Sequence, residues 1–143
     1  MTTDLLTSEL AAYVAAFATG TNIDGVTVVT GAPDSEQAFP LVAIVDAGST
    51  EFNPNYGCLR ANVTIELSTI AGYADEETTV RSESKLMSED LWNILADKDQ
   101  AKSFITARGS LKVFDIPSIS FRTEAESDRR VTTFDAEFVV CPI

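Results

Sequence analysis

The sequence predicts an α+β fold, an antiparallel or mixed β-sheet with an N-terminal helix and one to two central helices packed on one face. Three observations predict it: helical spacing of apolar residues at the start of the chain, a second helical stripe in the middle, and period-two alternation in the strands around it. With 143 residues, 45% hydrophobic and 22% charged, the chain is long enough to bury a core without a metal. We expect a single domain over residues 1–143.

The first predicted element is an amphipathic helix from Thr3 to Ala18. Asp4 complements the positive end of the helix dipole, and Gly20 stands where a left-handed C-terminal cap is expected. Apolar residues recur at intervals of three and four and therefore share one face. The members of this face are Leu6, Leu10, Tyr13, Val14 and Phe17.

The next segments read as strands. Val26–Thr30 and Leu41–Val45 predict two short strands joined by a polar loop, the second closing at Asp46, and the residues between Gly48 and Gly57 predict a loop with exposed aromatics. From residue 60 to residue 70, apolar residues alternate with polar ones, which is typical of a strand with one solvated face.

The remaining chain predicts two helices and then strands. One helix follows Gly72 and ends near Ala96, and a shorter one runs from Lys98 to Ala107. The C-terminal third alternates apolar and polar residues and ends at Pro142. Its predicted pieces are strands at 111–114 and 119–123, a polar tip from Glu124 to Arg130, and a last strand in which Phe134, Ala136, Phe138 and Val140 share one face.

Charge is distributed unevenly along the chain. Twenty-two acidic residues face ten basic ones, giving a net charge of -12, so a surface that binds nucleic-acid phosphates is disfavoured. All the basic residues begin at Arg60. Residues 1–59 carry acids alone, and either these simply solvate the surface or they form a face that repels an anion. The candidates for such a face are Asp24, Asp34, Glu36, Asp46 and Glu51.

Most catalytic and cofactor chemistry is disfavoured by what the sequence holds. There is no histidine, so the Ser-His and Cys-His arrangements of nucleophilic catalysis are excluded. The glycines never fall at phosphate-loop spacing. The acids at 75–77 are explained by a helix N-terminus rather than by a calcium loop. We therefore predict no catalytic residue, no metal site and no cofactor.

Cys58 and Cys141 form no metal or redox motif, and we expect two reduced thiols while leaving a pairing across the fold open. The N-terminus has no basic or apolar leader region, and no apolar run approaches the ~20 residues of a membrane span. We accordingly expect a soluble protein made in the cytosol, without membrane contact.

Two pairs of residues are candidates for contacts with a partner. Phe52 and Tyr56 are aromatics in a predicted Pro-Asn loop, where they either fold back on the core or anchor a partner. Arg129 and Arg130 are an adjacent basic pair near the predicted hairpin tip. They are either ordinary turn charges or contacts for an acidic neighbouring subunit.

In the order of its elements, the sequence resembles the tail terminator, or tail completion, proteins of long-tailed bacteriophages. The resemblance covers nearly the whole chain and concerns layout and size rather than a catalytic motif. The parts that carry it are the N-terminal helix, the short strand 40–44, a long loop, the alternating strand 62–67, an acidic-capped helix ending at 91–95, a strand at 111–116 and a closing hairpin whose last strand is 130–140.

The resemblance implies a non-enzymatic virion protein of the tail and neck, assembled in the host cytoplasm. Such a subunit forms a homo-hexameric ring that caps the tail tube and joins it to the head-tail connector. DNA passes through the lumen without specific binding, for which an acidic lining is suited. Two alternatives stay open: another neck part, such as a connector stopper or adaptor, or a minor tail component; and, more distantly, a small carboxylate-based enzyme or ligand-binding module.

Overall fold

The structure, a computed structural model, describes residues 2–31, 40–53, 57–70, 77–125 and 129–142. Its five-stranded mixed sheet has the order β1-β2-β3-β5-β4, in which β1 and β2 are parallel and the other pairs antiparallel. The predicted α+β fold is confirmed. The elements are α1 (Thr2–Ala18), β1 (Thr27–Thr30), β2 (Leu41–Asn53), β3 (Cys58–Ile70), α2 (Glu77–Ala96), α3 (Lys98–Ala107), β4 (Leu111–Ala125) and β5 (Arg129–Pro142).

The core lies between the helices and one face of the sheet. The predicted alternation in β3 and β5 is confirmed, because the odd-numbered apolar residues of β3 pair with the even-numbered ones of β5 on this face. The predicted apolar face of α1 packs against it. Central members of this core are Leu10, Val14, Val63, Ile65, Leu91, Ile105, Phe134 and Phe138.

The opposite face of the sheet carries cross-strand polar contacts. Asp135 of β5 accepts hydrogen bonds from Arg122 of β4, at 2.5 Å, and from the Thr64 hydroxyl of β3, at 3.1 Å. Arg60 and Glu137 form an ion pair at 3.2 Å on the same face. These side chains are partly exposed, so the solvated face predicted for β3 is present.

Strand β2 is longer than the sequence predicted. The turn-like residues after Asp46 do not end it: its register with β3 shifts between Asp46 and Ser49, and pairing resumes. Gly48 has a φ of 115°, and its N–H donates to the Asp46 carboxylate at 2.9 Å. These residues form a β-bulge, which accommodates turn-forming residues within a paired strand. The predicted loop between Gly48 and Gly57 is therefore wrong as far as Asn53.

Strand β4 is also continuous where two pieces were predicted. Its register with β5 shifts between Val113 and Ser118, around Pro117. Proline is tolerated here because β4 is an edge strand, so a missing N–H costs no ladder partner on the open side. The predicted polar tip is shorter than expected as well, since Ala125 and Arg130 already pair in the sheet.

The expectation of two reduced thiols is wrong for this structure, in which Cys58 and Cys141 form a disulfide with Cα atoms 4.1 Å apart. Leu59 pairs with Val140, so the register places the two cysteines directly opposite each other on neighbouring strands. Opposed residues of antiparallel strands are close enough to be bridged. The bond ties the start of β3 to the end of the last strand.

The three helices meet at Tyr13. Its hydroxyl donates to the Ile94 carbonyl in the last turn of α2 and accepts from the Gln100 side chain of α3 at 3.1 Å. The Ile94 carbonyl is one of those that a helix end leaves without an intrahelical donor. The Tyr13 ring contacts Phe17 and Phe104, with centroids 5.0 and 5.5 Å apart. One side chain thus joins α1, α2 and α3.

A second contact reinforces this junction at the other end of α3. Arg108, at the C-terminal cap, forms an ion pair with the buried Glu9 carboxylate of α1 and lies 5.7 Å from the Phe104 ring centroid. At the N-terminus of α3, the Asp97 side chain accepts from the Gln100 N–H at 3.2 Å. Both ends of the short helix are therefore held.

We predict that Tyr13→Phe lowers the free energy of unfolding by about 1–3 kcal/mol, because the buried Ile94 carbonyl loses its donor. Burial raises the pKa of the Tyr13 phenol above its ordinary value of 10.0; the Gln100 hydrogen bond lowers that pKa and the Asp97 charge raises it. The folded chain thus holds the proton more tightly, and this stabilisation is full below about pH 10 and lost as pH rises through the folded pKa.

Denaturant unfolding of both proteins from pH 8 to pH 11 tests this. The difference in unfolding free energy between wild type and Tyr13→Phe should be constant at first and should shrink above about pH 10. The control is Phe17→Leu, which perturbs the same cluster without removing a hydroxyl. Its difference in unfolding free energy from wild type should therefore not shrink. A Tyr13→Phe gap that is independent of pH would contradict the assignment.

We also predict that reduction of the Cys58–Cys141 disulfide, which has a sequence separation of 83, lowers the free energy of unfolding by about 2–4 kcal/mol. Unfolding of the oxidised protein with and without reductant measures the loss. The double variant Cys58→Ala, Cys141→Ala should not respond to reductant. Alkylation of both thiols in the oxidised, unreduced protein would show that the bond is absent.

Candidate interaction surface

Helix α2 presents two adjoining faces. Leu91, Ile94 and Leu95 are buried in the core. Residues 85, 88, 89 and 92 recur at intervals of three and four, so they form a second row along the helix. This row faces the end of the sheet where β4 and β5 meet. Between them lies a cleft of about 320 Å³, here called the α2–β4 cleft, whose described lining is Lys85, Ser88, Glu89, Trp92, Phe121, Thr123 and Arg130.

An aromatic wall forms one side of the α2–β4 cleft. The Trp92 ring lies 5.2 Å from that of Phe121 and 6.3 Å from that of Phe134, measured between centroids. Phe134 is fully buried, whereas Phe121 is 56% exposed. The wall therefore runs from the core to the surface and leaves apolar ring area open to solvent.

Hydroxyl groups lie beside this wall. The Ser88 hydroxyl of α2 and the Thr132 hydroxyl of β5 are 2.8 Å apart, and Thr123 of β4 lies 3.4 Å from the same Thr132 oxygen. Thr132 is 1% exposed, so burying its hydroxyl requires such partners. These contacts attach α2 to the end of the sheet and hold the two sides of the cleft together.

The described rim of the α2–β4 cleft carries charges of both signs. Lys85 and Arg130 contribute two cations and Glu89 one carboxylate. The Lys85 ammonium and the Glu89 carboxylate are 4.0 Å apart on an exposed helix turn, a pairing that contributes little.

The predicted contact residues are placed differently by the structure. Arg130 lines the α2–β4 cleft. Both Arg129 and Arg130 lie in β5, paired with Ile70 and Thr69, rather than in the turn where the sequence suggested them. For Arg129 and Phe52 the backbone in the sheet is described and the side chain is not, and Tyr56 lies outside the described residues.

Two of the five candidate acids are placed with their side chains. Asp24 is exposed and accepts from the Gly20 N–H at 3.1 Å in the turn after α1. Asp46 is exposed at the bulge in β2. Each therefore has a local structural role besides its charge. The backbone alone is described for Glu51, and Asp34 and Glu36 lie outside the described residues.

The aromatic pair of the cleft was missed by sequence reasoning. Trp92 appeared there only as part of a helix end, and Phe121 only as a member of an alternating strand. A signal was present: Lys85, Ser88 and Trp92 share helical spacing beside the buried stripe. What the sequence could not show is that Phe121 comes next to this row, because that follows from how α2 lies on β4 and β5.

The described residues offer little for cofactor or metal chemistry. Within those ranges, no group of three or more acidic or cysteine side chains is placed to hold a metal ion. The described lining of the α2–β4 cleft includes one carboxylate, that of Glu89, and general acid-base work on carboxylates alone uses two. A helix with the length and apolarity to cross a membrane is also absent from the described part of the chain.

Comparison with known proteins found no matching family model and no matching curated sequence.

We predict that Thr132→Val lowers the free energy of unfolding by about 0.5–1.5 kcal/mol, because Ser88 loses its hydroxyl partner. The control is Thr133→Val, the neighbouring buried threonine on the opposite face of the sheet, with an expected change within about 0.5 kcal/mol. Trp92 is the only tryptophan, so denaturant unfolding followed by its fluorescence reports on this site directly. Equal losses in the two variants would contradict a role for the Ser88–Thr132 contact.

Proposed function

We propose that the chain is a tail terminator subunit of a long-tailed bacteriophage. Six copies form a ring that caps the tail tube and joins it to the head-tail connector. In this proposal the protein is a structural part of the virion neck, assembled in the host cytoplasm, and it catalyses no reaction.

The order of elements is the observation that carries the proposal. The resemblance rests on a layout of an N-terminal helix, a short strand, a long loop, an alternating strand, an acidic-capped helix, a further strand and a closing hairpin. The observed order, α1-β1-β2-β3-α2-α3-β4-β5, has the N-terminal helix, the alternating strand β3, the central helix α2 and the closing hairpin. It departs from the layout before β3, where β2 runs on to Asn53 in place of a short strand and most of the long loop. The closing hairpin, formed by β4 and β5, places its last strand inside the sheet beside β3.

The charge of the chain supports the same proposal. A conduit for DNA has to let phosphates pass without holding them, and like charge on its wall prevents binding. The proposed lining comes from residues 1–59, which hold no Lys or Arg. Asp24 and Asp46 are exposed members of that stretch, and Asp34, Glu36 and Glu51 are its further candidates.

The alternative of a carboxylate-based enzyme finds no second acid in the described lining of the α2–β4 cleft. Its cluster of hydroxyls is already engaged in contacts between α2, β4 and β5. A nucleophilic hydroxyl would also need a base, and the chain has no histidine to supply one. An assembly role uses the apolar and charged surface of the cleft without requiring such groups.

Electron microscopy of the purified protein, mixed with isolated tail tubes of the phage that encodes it, tests the proposal. We expect a ring at one end of each tube. A matched sample holds isolated head-tail connectors in place of tubes. Rings bound to the connector alone would identify a stopper or adaptor instead, and a protein that stays monomeric and binds neither would overturn the proposal.

A further inference from the structure

We propose that Cys58 and Cys141 are an oxidation site, which holds two thiols during assembly in the host and forms its disulfide after the particle has left the host. They are the two cysteines of the chain, and they are bonded in this structure. Disulfides persist in oxidising surroundings and are rare in the cytosol, where thiols are kept reduced. The inference rests on the proposed function, because that function separates the place of assembly from the surroundings of the finished particle.

The backbone of the sheet holds the two cysteines opposite each other independently of the bond. Strand β3 pairs with β5 without a break from Leu59 to Ile70, and Cys58 is the residue before this ladder. Cys141 is also held on its other side, because it pairs with Lys112 of β4. Once these three strands have paired, the two thiols of a reduced chain therefore already face each other.

The residues that flank the two cysteines pack against each other as well. Gly57, which precedes Cys58, has a φ of 69°, a backbone conformation that favours glycine. A Cβ built on Gly57 would lie 3.4 Å from the ring of Pro142, the residue after Cys141. This contact adds to the backbone pairing in holding the two chain segments at the distance that the bond requires.

Burial favours a bond within one chain over a bond between copies. Cys58 is 6% exposed and Cys141 is 7% exposed, so a cysteine of another protein cannot approach either sulfur in the folded chain. Pairs at the end of a ladder open more readily than pairs in its middle. Such local opening admits an oxidant as small as dioxygen, and the two sulfurs then react with each other.

The reaction removes one electron pair and two protons from the two thiols. Both S–H bonds break, the sulfurs join, and dioxygen takes up the electrons and the protons to leave as hydrogen peroxide. Directly opposed residues of antiparallel strands are within bridging distance, so the strands need no rearrangement. Oxidation therefore stabilises a subunit that is already assembled without altering its fold.

Equilibration with mixtures of reduced and oxidised glutathione tests whether the sheet positions the thiols. By thermodynamic linkage, folding favours the bond by the same factor by which the bond favours folding. The usual stabilisation by a disulfide corresponds to roughly 30- to 900-fold. We expect the equilibrium constant for bond formation to be at least tenfold larger in the folded protein than in denaturant. A smaller ratio would overturn the inference.

A variant with displaced cysteines provides the matched control. Cys141→Ser combined with Val139→Cys keeps two cysteines on one face of the sheet, but residue 139 pairs with Arg60, two positions from Cys58. Such diagonal neighbours lie about 7–8 Å apart, which is too far for a disulfide. In air, the folded variant should keep both thiols while wild type loses both, as counted by maleimide labelling and mass spectrometry. Equal oxidation of the two proteins would contradict the role of the register.

The time at which the bond forms is measured on the protein made during infection. Infected cells are quenched in acid before lysis, released particles are quenched in the same way, and free thiols are labelled with maleimide in denaturant. We expect both cysteines to be labelled in the cells and neither in the particles. A bond already present before lysis, or thiols that persist in the released particles, would overturn the inference.

Ring formation separates this inference from the proposed function. The double variant Cys58→Ala, Cys141→Ala should form rings on tail tubes as readily as wild type, because assembly precedes the bond. If wild type forms rings and this variant folds but forms none, the inference fails and the proposed function stands. A wild-type protein that binds no tubes would overturn the proposed function and with it the inference.

Discussion

The packing of all three helices depends on one hydroxyl group. Tyr13 donates to the last turn of α2 and accepts from α3, so α1 holds the ends of two other helices through a single buried side chain. Burial makes the geometry strict, because a polar group away from water requires its partner. Glu9 and Arg108 add a second link between α1 and α3. The helical layer therefore lies on the sheet as one connected unit.

The position of α2 in turn determines the chemistry of the surface. With its last turn held by Tyr13, the helix places Trp92 against Phe134 in the core and Phe121 at the edge of the sheet. The Ser88–Thr132 hydroxyl contact holds the preceding turn of the helix. The aromatic wall of the α2–β4 cleft is thus positioned by packing inside the core. Substitutions at the helix junction are therefore expected to alter the geometry of the cleft, although Tyr13 does not line it.

Sequence patterns were sufficient where a residue depends on its near neighbours. The amphipathic face of α1, the bounds of α3 and the alternation of β3 and β5 all follow from short-range periodicity. They were insufficient where pairing with a distant strand determines the local structure. Pairing with β3 extends β2 beyond Asp46, and the β3–β5 register places Cys58 opposite Cys141. The cleft belongs to the second kind, because Trp92 and Phe121 come together only once α2 lies on the sheet.

The disulfide also has a mechanical consequence. A pulling force can be transmitted through the covalent bridge between Cys58 and Cys141, directly from the beginning of β3 to the end of β5. A pull between α1 and the C-terminal end of the chain would bypass α2, α3 and β4 altogether. The elements that form the cleft would then stay folded under load, while β1 and β2, on the unbridged side, would bear the strain. After reduction of the bond, the pulling force would act along the whole chain, including the elements that form the cleft.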